Sequence, residues 1–111
     1  MSVPVNVIST RIESKPNQIS VVIPMRNEEY FVREKLVSVI EEVVGHDNVN
    51  IVVIDSASTD STSSIASRTL GESALPVERW SVSDCQPPGK TLAINYALKS
   101  TYSDFVVLMD A

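Results

Sequence analysis

Apolar runs and helix-period segments alternate along this chain from Gln18 onward. Four apolar or alternating runs occupy residues 19–23, 51–54, 76–82 and 105–109. Between them, apolar side chains recur at three- and four-residue steps, which indicates amphipathic helices. Strands that alternate with helices are typical of repeated βαβ units built around a parallel sheet.

Three helices are predicted between the strands. The first is indicated by five residues at helical spacing, namely Val32, Leu36, Val39, Ile40 and Val43. Glu28 and Glu29 are expected in its first turn, where the helix dipole favours negative charge, and Gly45 is expected to stop it. The second and third helices are predicted over residues 60–70 and 91–100.

The pattern predicts an α/β fold of the Rossmann-like, three-layer α/β/α type. Its mainly parallel four-stranded sheet has the expected strand order 3-2-1-4. Pro24 is expected to end the first strand because proline cannot donate to a ladder. We divide the chain into a poorly defined leader, residues 1–17, and one α/β domain, residues 18–111.

Composition narrows the possible partners. The 111 residues are 43% hydrophobic and 21% charged, which is ordinary for a globular domain. A net charge of −5 argues against a nucleic-acid partner, since phosphate backbones are bound through excess Lys and Arg. Cys85 is the single cysteine, which excludes an intrachain disulfide and suits a reducing compartment.

The location expected for the chain is cytoplasmic. No apolar stretch approaches the roughly 20 residues that span a bilayer, and the N-terminus has no basic-then-apolar secretion signal. Association with the inner face of the membrane is expected only through regions outside this chain.

Three carboxylates follow predicted strands. Glu28, Asp55 and Asp110 come after the first, second and fourth strands. Ligands of open parallel sheets bind beyond the carboxyl ends of the strands, where the strand order reverses. Three neighbouring carboxylates need a cation or a hydrogen-bonding ligand to remain ionised together.

Four segments, in this order and spacing, resemble family 2 glycosyltransferases over residues 18–111. Residues 21–29 (VVIPMRNEE) look like the family's VVIPxxNEE opening, and residues 51–62 (IVVIDSASTDST) resemble its VVDDGSTDGT segment. Residues 88–90 (PGK) are similar to its GKG, and residues 106–111 (VVLMDA) look like the run into its Asp-x-Asp motif.

The resemblance implies a site for a nucleoside-diphosphate sugar, a UDP- or GDP-sugar, in half of a nucleotide-diphospho-sugar transferase fold. The base and ribose would be lined by Pro24, Met25, Arg26 and Glu28. Asp55 and Ser56 would complete the base end, and Lys90 would neutralise diphosphate charge. The implied reaction is transfer of the sugar to the hydroxyl of a glycan, lipid or small-molecule acceptor.

Asp110 would be the first carboxylate of the Asp-x-Asp motif, and Ala111 its middle residue. This motif implies a Mg²⁺ or Mn²⁺ ion that bridges the diphosphate. The second Asp would be residue 112, and the base that activates an acceptor would lie beyond Ala111, so we assign no catalytic residue. We expect the 111 residues alone to bind donor weakly and to have no turnover.

One segment departs from the family pattern. Residues 55–58 read Asp-Ser-Ala-Ser, without the second acid and the glycine. Some retaining transferases of the same fold, such as the glucosyl-phosphoglycerate synthases, look closer here, with an Asp-Ser pair. Whether the sugar is transferred with inversion or retention therefore stays open.

Two alternatives to a glycosyltransferase are a P-loop protein and a non-catalytic module. Gly89-Lys90-Thr91 opens a helix like the end of a P-loop, but Asp84 stands where the first glycine belongs. Pro87 and Pro88 also remove backbone donors that such a loop needs. The other alternative is a non-catalytic nucleotide-binding module.

Overall fold

A computed structural model describes residues 17–101 and 103–109. Its elements, in chain order, are β1 (Ile19–Met25), α1 (Val32–Val43), β2 (Val49–Asp55), α2 (Thr62–Gly71), a 3₁₀ turn (Val77–Arg79), β3 (Trp80–Asp84), α3 (Lys90–Ser100) and β4 (Phe105–Leu108). All but the last residue of the predicted leader lies outside the described residues.

The four strands form one parallel sheet in the order β3-β2-β1-β4. This confirms the predicted order 3-2-1-4, with β2 and β1 in the centre. Helices α1 and α2 cover one face of the sheet, while α3 covers the other. The predicted three-layer α/β/α architecture is therefore confirmed.

The core lies mainly between the sheet and the helices α1 and α2. All five residues that predicted α1 are buried there, together with Ile23, Met25, Ile51 and Val53 from the two central strands. On the opposite face, Ala93 and Ala97 of α3 pack against Val22 and Ile54. The two central strands are apolar on consecutive positions because both of their faces are covered.

The prediction that Pro24 ends the first strand is wrong. Strand β1 continues to Met25 and pairs with β2 along its whole length. The carbonyl of Met25 faces β2, where it accepts the N–H of Ser56 at 2.8 Å. Backbone polar groups alternate in direction along a strand, so those of Pro24 face β4. Pairing with β4 ends at Val22 and Leu108, so no ladder bond is lost at Pro24.

The predicted position of the two glutamates in the first turn of α1 is also wrong. Helix α1 begins at Val32, and Glu34 is the acid of its first turn. Glu28 and Glu29 lie in the turn before it, where the carbonyl of Glu28 accepts the N–H groups of Phe31 and Val32. The backbone N–H groups of this turn are bonded to Asp60, in the loop after β2, and to Thr62, at the start of α2.

The third strand is displaced from the predicted residues 76–82. Residues 77–79 form the 3₁₀ turn, and β3 covers Trp80–Asp84. The Arg79 guanidinium explains the displacement, because it reaches back to the loop at the end of α1. It donates hydrogen bonds to four backbone carbonyls, those of Val43, Val44, His46 and Val49.

Strand β4 lies at the edge of the sheet and is exposed. Its four apolar residues are 38% to 56% exposed, in contrast to the buried residues of β1 and β2. Within residues 17–101 and 103–109, no helix has the length and apolar character that crossing a membrane requires.

Candidate functional site

A pocket of about 480 Å³ lies at the carboxyl ends of β1 and β2, beside the start of α3. Its size is within the range of small-molecule sites, roughly 300–1,000 Å³. Its lining consists of Pro24, Met25, Arg26, Glu28, Ser56, Pro88, Gly89 and Lys90. Six of the nine residues predicted to bind the donor therefore share one pocket.

Asp55 is placed differently from this group. Asp55 is buried, with only 4% of its surface exposed, and it does not line the pocket. Its carboxylate accepts hydrogen bonds from the N–H of Ser58, at 3.3 Å, and from the Ser58 hydroxyl. Asp55 thus fixes the conformation of the loop after β2, while the neighbouring Ser56 reaches the pocket.

Ser56 joins three elements of the pocket. Its N–H donates to the carbonyl of Met25 at the end of β1, and its hydroxyl accepts the N–H of Gly89 at 2.8 Å. Because Ser56 is itself at the end of β2, these two bonds connect both central strands to the start of α3.

Gly89 and Lys90 bring the N-terminus of α3 to the pocket. The helix begins at Lys90, and Gly89 has a φ of 152°, a conformation that side chains rarely adopt. A Cβ at Gly89 would be in ordinary van der Waals contact with Leu92 Cδ1, at 3.5 Å, so the backbone conformation and not a lack of space favours glycine here. The positive end of the helix dipole favours an anion at such a position.

The loops after β1 and β2 are bonded to each other through Asn27. The N–H of Asn27 donates to Ser58 Oγ at 2.9 Å, and its side-chain oxygen accepts the N–H of Thr59 at 2.8 Å. Asn27 and Ala57 both have positive φ, at 50° and 54°. These reciprocal bonds hold both loops in tight turns. The spacing of apolar residues does not predict these turns.

Asp60 extends this connection. Its carboxylate accepts the N–H of Glu29 at 3.3 Å and both the N–H and the hydroxyl of Thr62, at 3.0 and 2.5 Å. Glu29 in turn accepts the N–H of Ser61 at 3.1 Å. The Thr62 hydroxyl lowers the pKa of Asp60 from its usual 3.8, with further lowering by backbone N–H groups.

Lys35 is a residue that the sequence analysis missed. Its ammonium lies 2.9 Å from Glu28 Oε1. Had Glu28 been within α1, seven residues of helix would have separated the two by roughly 10 Å along the axis. The pair forms because Glu28 lies in the turn before the helix and folds back toward it.

The predicted metal ligand Asp110 and the neighbouring Ala111 lie outside the described residues. Met109, the residue before them, donates its N–H to Val22 at 2.9 Å and so continues the alignment of β4 with β1. No group of three or more His, Cys, Asp or Glu that is able to hold a metal occurs within residues 17–101 and 103–109.

Comparison with known proteins identifies the family. The model of glycosyl transferase family 2 matches residues 20–111. No curated protein matches the chain in sequence. Solved structures similar to the chain include a mannosyltransferase from Pyrobaculum calidifontis in complex with GDP-Man and Mn²⁺, at 31% identity and a TM-score of 0.75. That alignment covers 87% of this chain and 28% of the mannosyltransferase.

Glucosyl-3-phosphoglycerate synthase from Mycobacterium tuberculosis is similar too. One structure of it has 30% identity and a TM-score of 0.67, and the alignment covers 85% of this chain and 34% of the synthase. A second, in complex with Mn²⁺, UDP and glucosyl-3-phosphoglycerate, has 31% identity and a TM-score of 0.63, with coverage of 85% and 33%.

The chain thus spans about a third of the length of these structures. The match of the family model confirms the resemblance drawn from the four sequence segments, in preference to a P-loop protein. The structural matches confirm the predicted Rossmann-like α/β fold of the nucleotide-diphospho-sugar transferases. This chain belongs to glycosyl transferase family 2.

Proposed function

We propose that this chain is the donor-binding domain of a glycosyltransferase that transfers a sugar from a UDP- or GDP-sugar to an acceptor hydroxyl. The observation that carries the proposal is the pocket of about 480 Å³ that gathers Arg26, Glu28, Ser56 and Lys90 at the carboxyl ends of the central strands. Family membership supports it, as do relatives solved with GDP-Man or UDP and Mn²⁺.

The diphosphate of the donor would lie at the start of α3. Lys90 and Arg26 carry positive charge at the pocket, and the N-terminus of α3 adds the positive end of its dipole. Gly89 has no side chain to keep an anion away from the backbone. The base and ribose would then lie against Pro24, Met25, Arg26 and Glu28. Ser56 would complete the base end directly, and Asp55 would do so through the loop that its bonds to Ser58 hold.

A divalent cation, Mg²⁺ or Mn²⁺, is part of the proposed donor site. Among the described residues that line the pocket, Glu28 is the one carboxylate, and it is paired with Lys35. Oxygen ligands for the ion would therefore come from Asp110, from the diphosphate and from residues beyond this chain. When bound, the ion stabilises negative charge on the departing diphosphate.

The proposed acceptor is a molecule with a free hydroxyl group. A glycan, a lipid or a small molecule each offers the required hydroxyl. We place the protein in the cytoplasm, with membrane association only through regions outside this chain, because a single cysteine suits a reducing compartment.

Calorimetric titration of the chain with UDP-glucose and GDP-mannose, with and without Mn²⁺, tests the proposal. We expect weak binding of at least one donor, and at least a fivefold loss of affinity in Lys90→Ala, because a charge-assisted contact to phosphate is lost. Lys99→Ala is the matched control, since Lys99 is in the last turn of the same helix. Absence of heat with every donor in a folded sample would contradict the proposal.

A further inference from the structure

Lys35 and Glu28 form an ion pair at the edge of the pocket, which Glu28 lines. Lys35 Nζ and Glu28 Oε1 are 2.9 Å apart, and the side chains of Lys35 and Glu28 are only 19% and 22% exposed. We infer that Lys35 is a positioning residue that aims the Glu28 carboxylate at the ribose and thereby makes the site selective for ribose hydroxyls. The inference rests on the proposed function, which brings a nucleotide to this pocket.

The backbone of Glu28 is fixed independently of Lys35. Its N–H donates to Thr62 Oγ1 at 2.8 Å, and its carbonyl accepts the N–H groups of Phe31 and Val32 at 2.8 and 3.0 Å. These bonds determine where the side chain starts. The contact with Lys35 then determines where the carboxylate ends, so a change at Lys35 alters its direction while the turn remains.

The charge of Lys35 matters as well as its position. A diphosphate repels a carboxylate in the same pocket, and this repulsion is strong where water is partly excluded. The ammonium of Lys35 offsets the charge of Glu28 at short range. Glu28 is therefore able to accept hydrogen bonds beside an anionic ligand without opposing its binding.

The remaining acceptor positions of Glu28 suit hydroxyl groups. An ionised carboxylate accepts about four hydrogen bonds over its two oxygens, and Lys35 uses one of them at Oε1. A ribose presents two neighbouring hydroxyl donors. Bonds to a charged acceptor are stronger than neutral ones, so we expect loss of both hydroxyls to lower affinity by about tenfold or more.

Lys35 also lines a second groove, of about 270 Å³, together with Val21 and Met109. It therefore lies between the turn that holds Glu28 and the carboxyl end of β4. A residue in this place is able to act on the pocket from outside it, since Lys35 is absent from the pocket lining itself.

The test compares UDP and GDP with their 2′,3′-dideoxy forms by calorimetry. For whichever nucleotide binds, the unaltered chain is expected to prefer the ribose form by about tenfold or more. Lys35→Met should reduce this preference to about threefold or less, and Lys35→Arg should restore it. Glu28→Gln should also reduce it, and adding Lys35→Met to Glu28→Gln should change it little further. Lys99→Met, on the exposed end of α3, should leave it unchanged.

The outcomes distinguish failure of the proposed function from failure of this inference alone. A chain that binds neither nucleotide contradicts the proposed function and with it the inference. Binding without a preference for ribose overturns the inference alone, and so does a preference that survives Lys35→Met. Circular dichroism checks folding of each variant. If Lys35→Met does not fold, Lys35→Ala, with the highest helix propensity, takes its place with the same expected result.

Discussion

Arg79 is predicted to be a major source of stability in this domain. Its side chain is 12% exposed and connects the 3₁₀ turn before β3 to the end of α1. Helix α1 has no basic residue in its own last turn, so Arg79 supplies the cation that the negative end of the helix dipole favours. Replacement by methionine keeps much of the apolar stem and removes every donor.

The expected loss follows from the contacts. Two of the best-placed bonds run from Arg79 Nη2 to the carbonyls of Val43 and Val49, both at 2.9 Å. A bond to a charged group contributes about 1.5–3 kcal/mol, and contributions within one network are not additive. Counting two such bonds, we expect Arg79→Met to lower the free energy of unfolding by about 3 kcal/mol.

A matched control is available at Arg33. Its guanidinium lies 3.8 Å from Glu72 Oε1, with both side chains 64% exposed, and such pairs contribute roughly 0–1 kcal/mol. Urea unfolding of the two variants should therefore separate them clearly. An Arg79→Met variant as stable as Arg33→Met, within 0.5 kcal/mol, would refute the role assigned to Arg79.

Two further predictions concern the loops of the site. Gly89→Ala should lower the free energy of unfolding by about 1–3 kcal/mol, because a residue with a side chain is strained at the φ of 152°. Thermal unfolding measures this loss, and an unchanged stability would contradict the prediction. The lowered pKa of Asp60 means that its stabilising contribution is complete well above its usual pKa of 3.8 and is lost as the pH falls below it. Urea unfolding between pH 6 and 2.5 should show this loss, and Asp60→Asn should lack that component; an identical pH profile in both would count against it.

The sheet was predictable because its signals are local and redundant. The central strands are apolar at consecutive positions, and helical spacing identified all five buried residues of α1. The observed strand order agrees with the one predicted for right-handed βαβ units. The position of the candidate site was predicted from the polar residues that follow the strands, since the carboxyl ends of parallel strands share one edge of the sheet. The predicted position of Lys90 at the start of a helix followed from the same reasoning.

The turns were not predictable from periodicity, because contacts distant in sequence determine them. Asn27 is held by hydrogen bonds to Ser58 and Thr59, about thirty residues later in the chain. Arg79 donates hydrogen bonds to carbonyls at the end of α1. The pair of Glu28 with Lys35 depends on the helix starting at Val32. Prediction of such a start needs the hydrogen bonds of the loop after β2.

We expect the pocket between β1, β2 and α3 to receive the diphosphate of a nucleotide. Amide chemical shifts of the ¹⁵N-labelled chain, recorded during titration with UDP and GDP, test it most directly. We expect the largest changes at Arg26, Ser56, Gly89 and Lys90, which line the pocket, and small changes at Gly71 at the end of α2. Saturable changes centred elsewhere, with these four amides unmoved, would contradict the account.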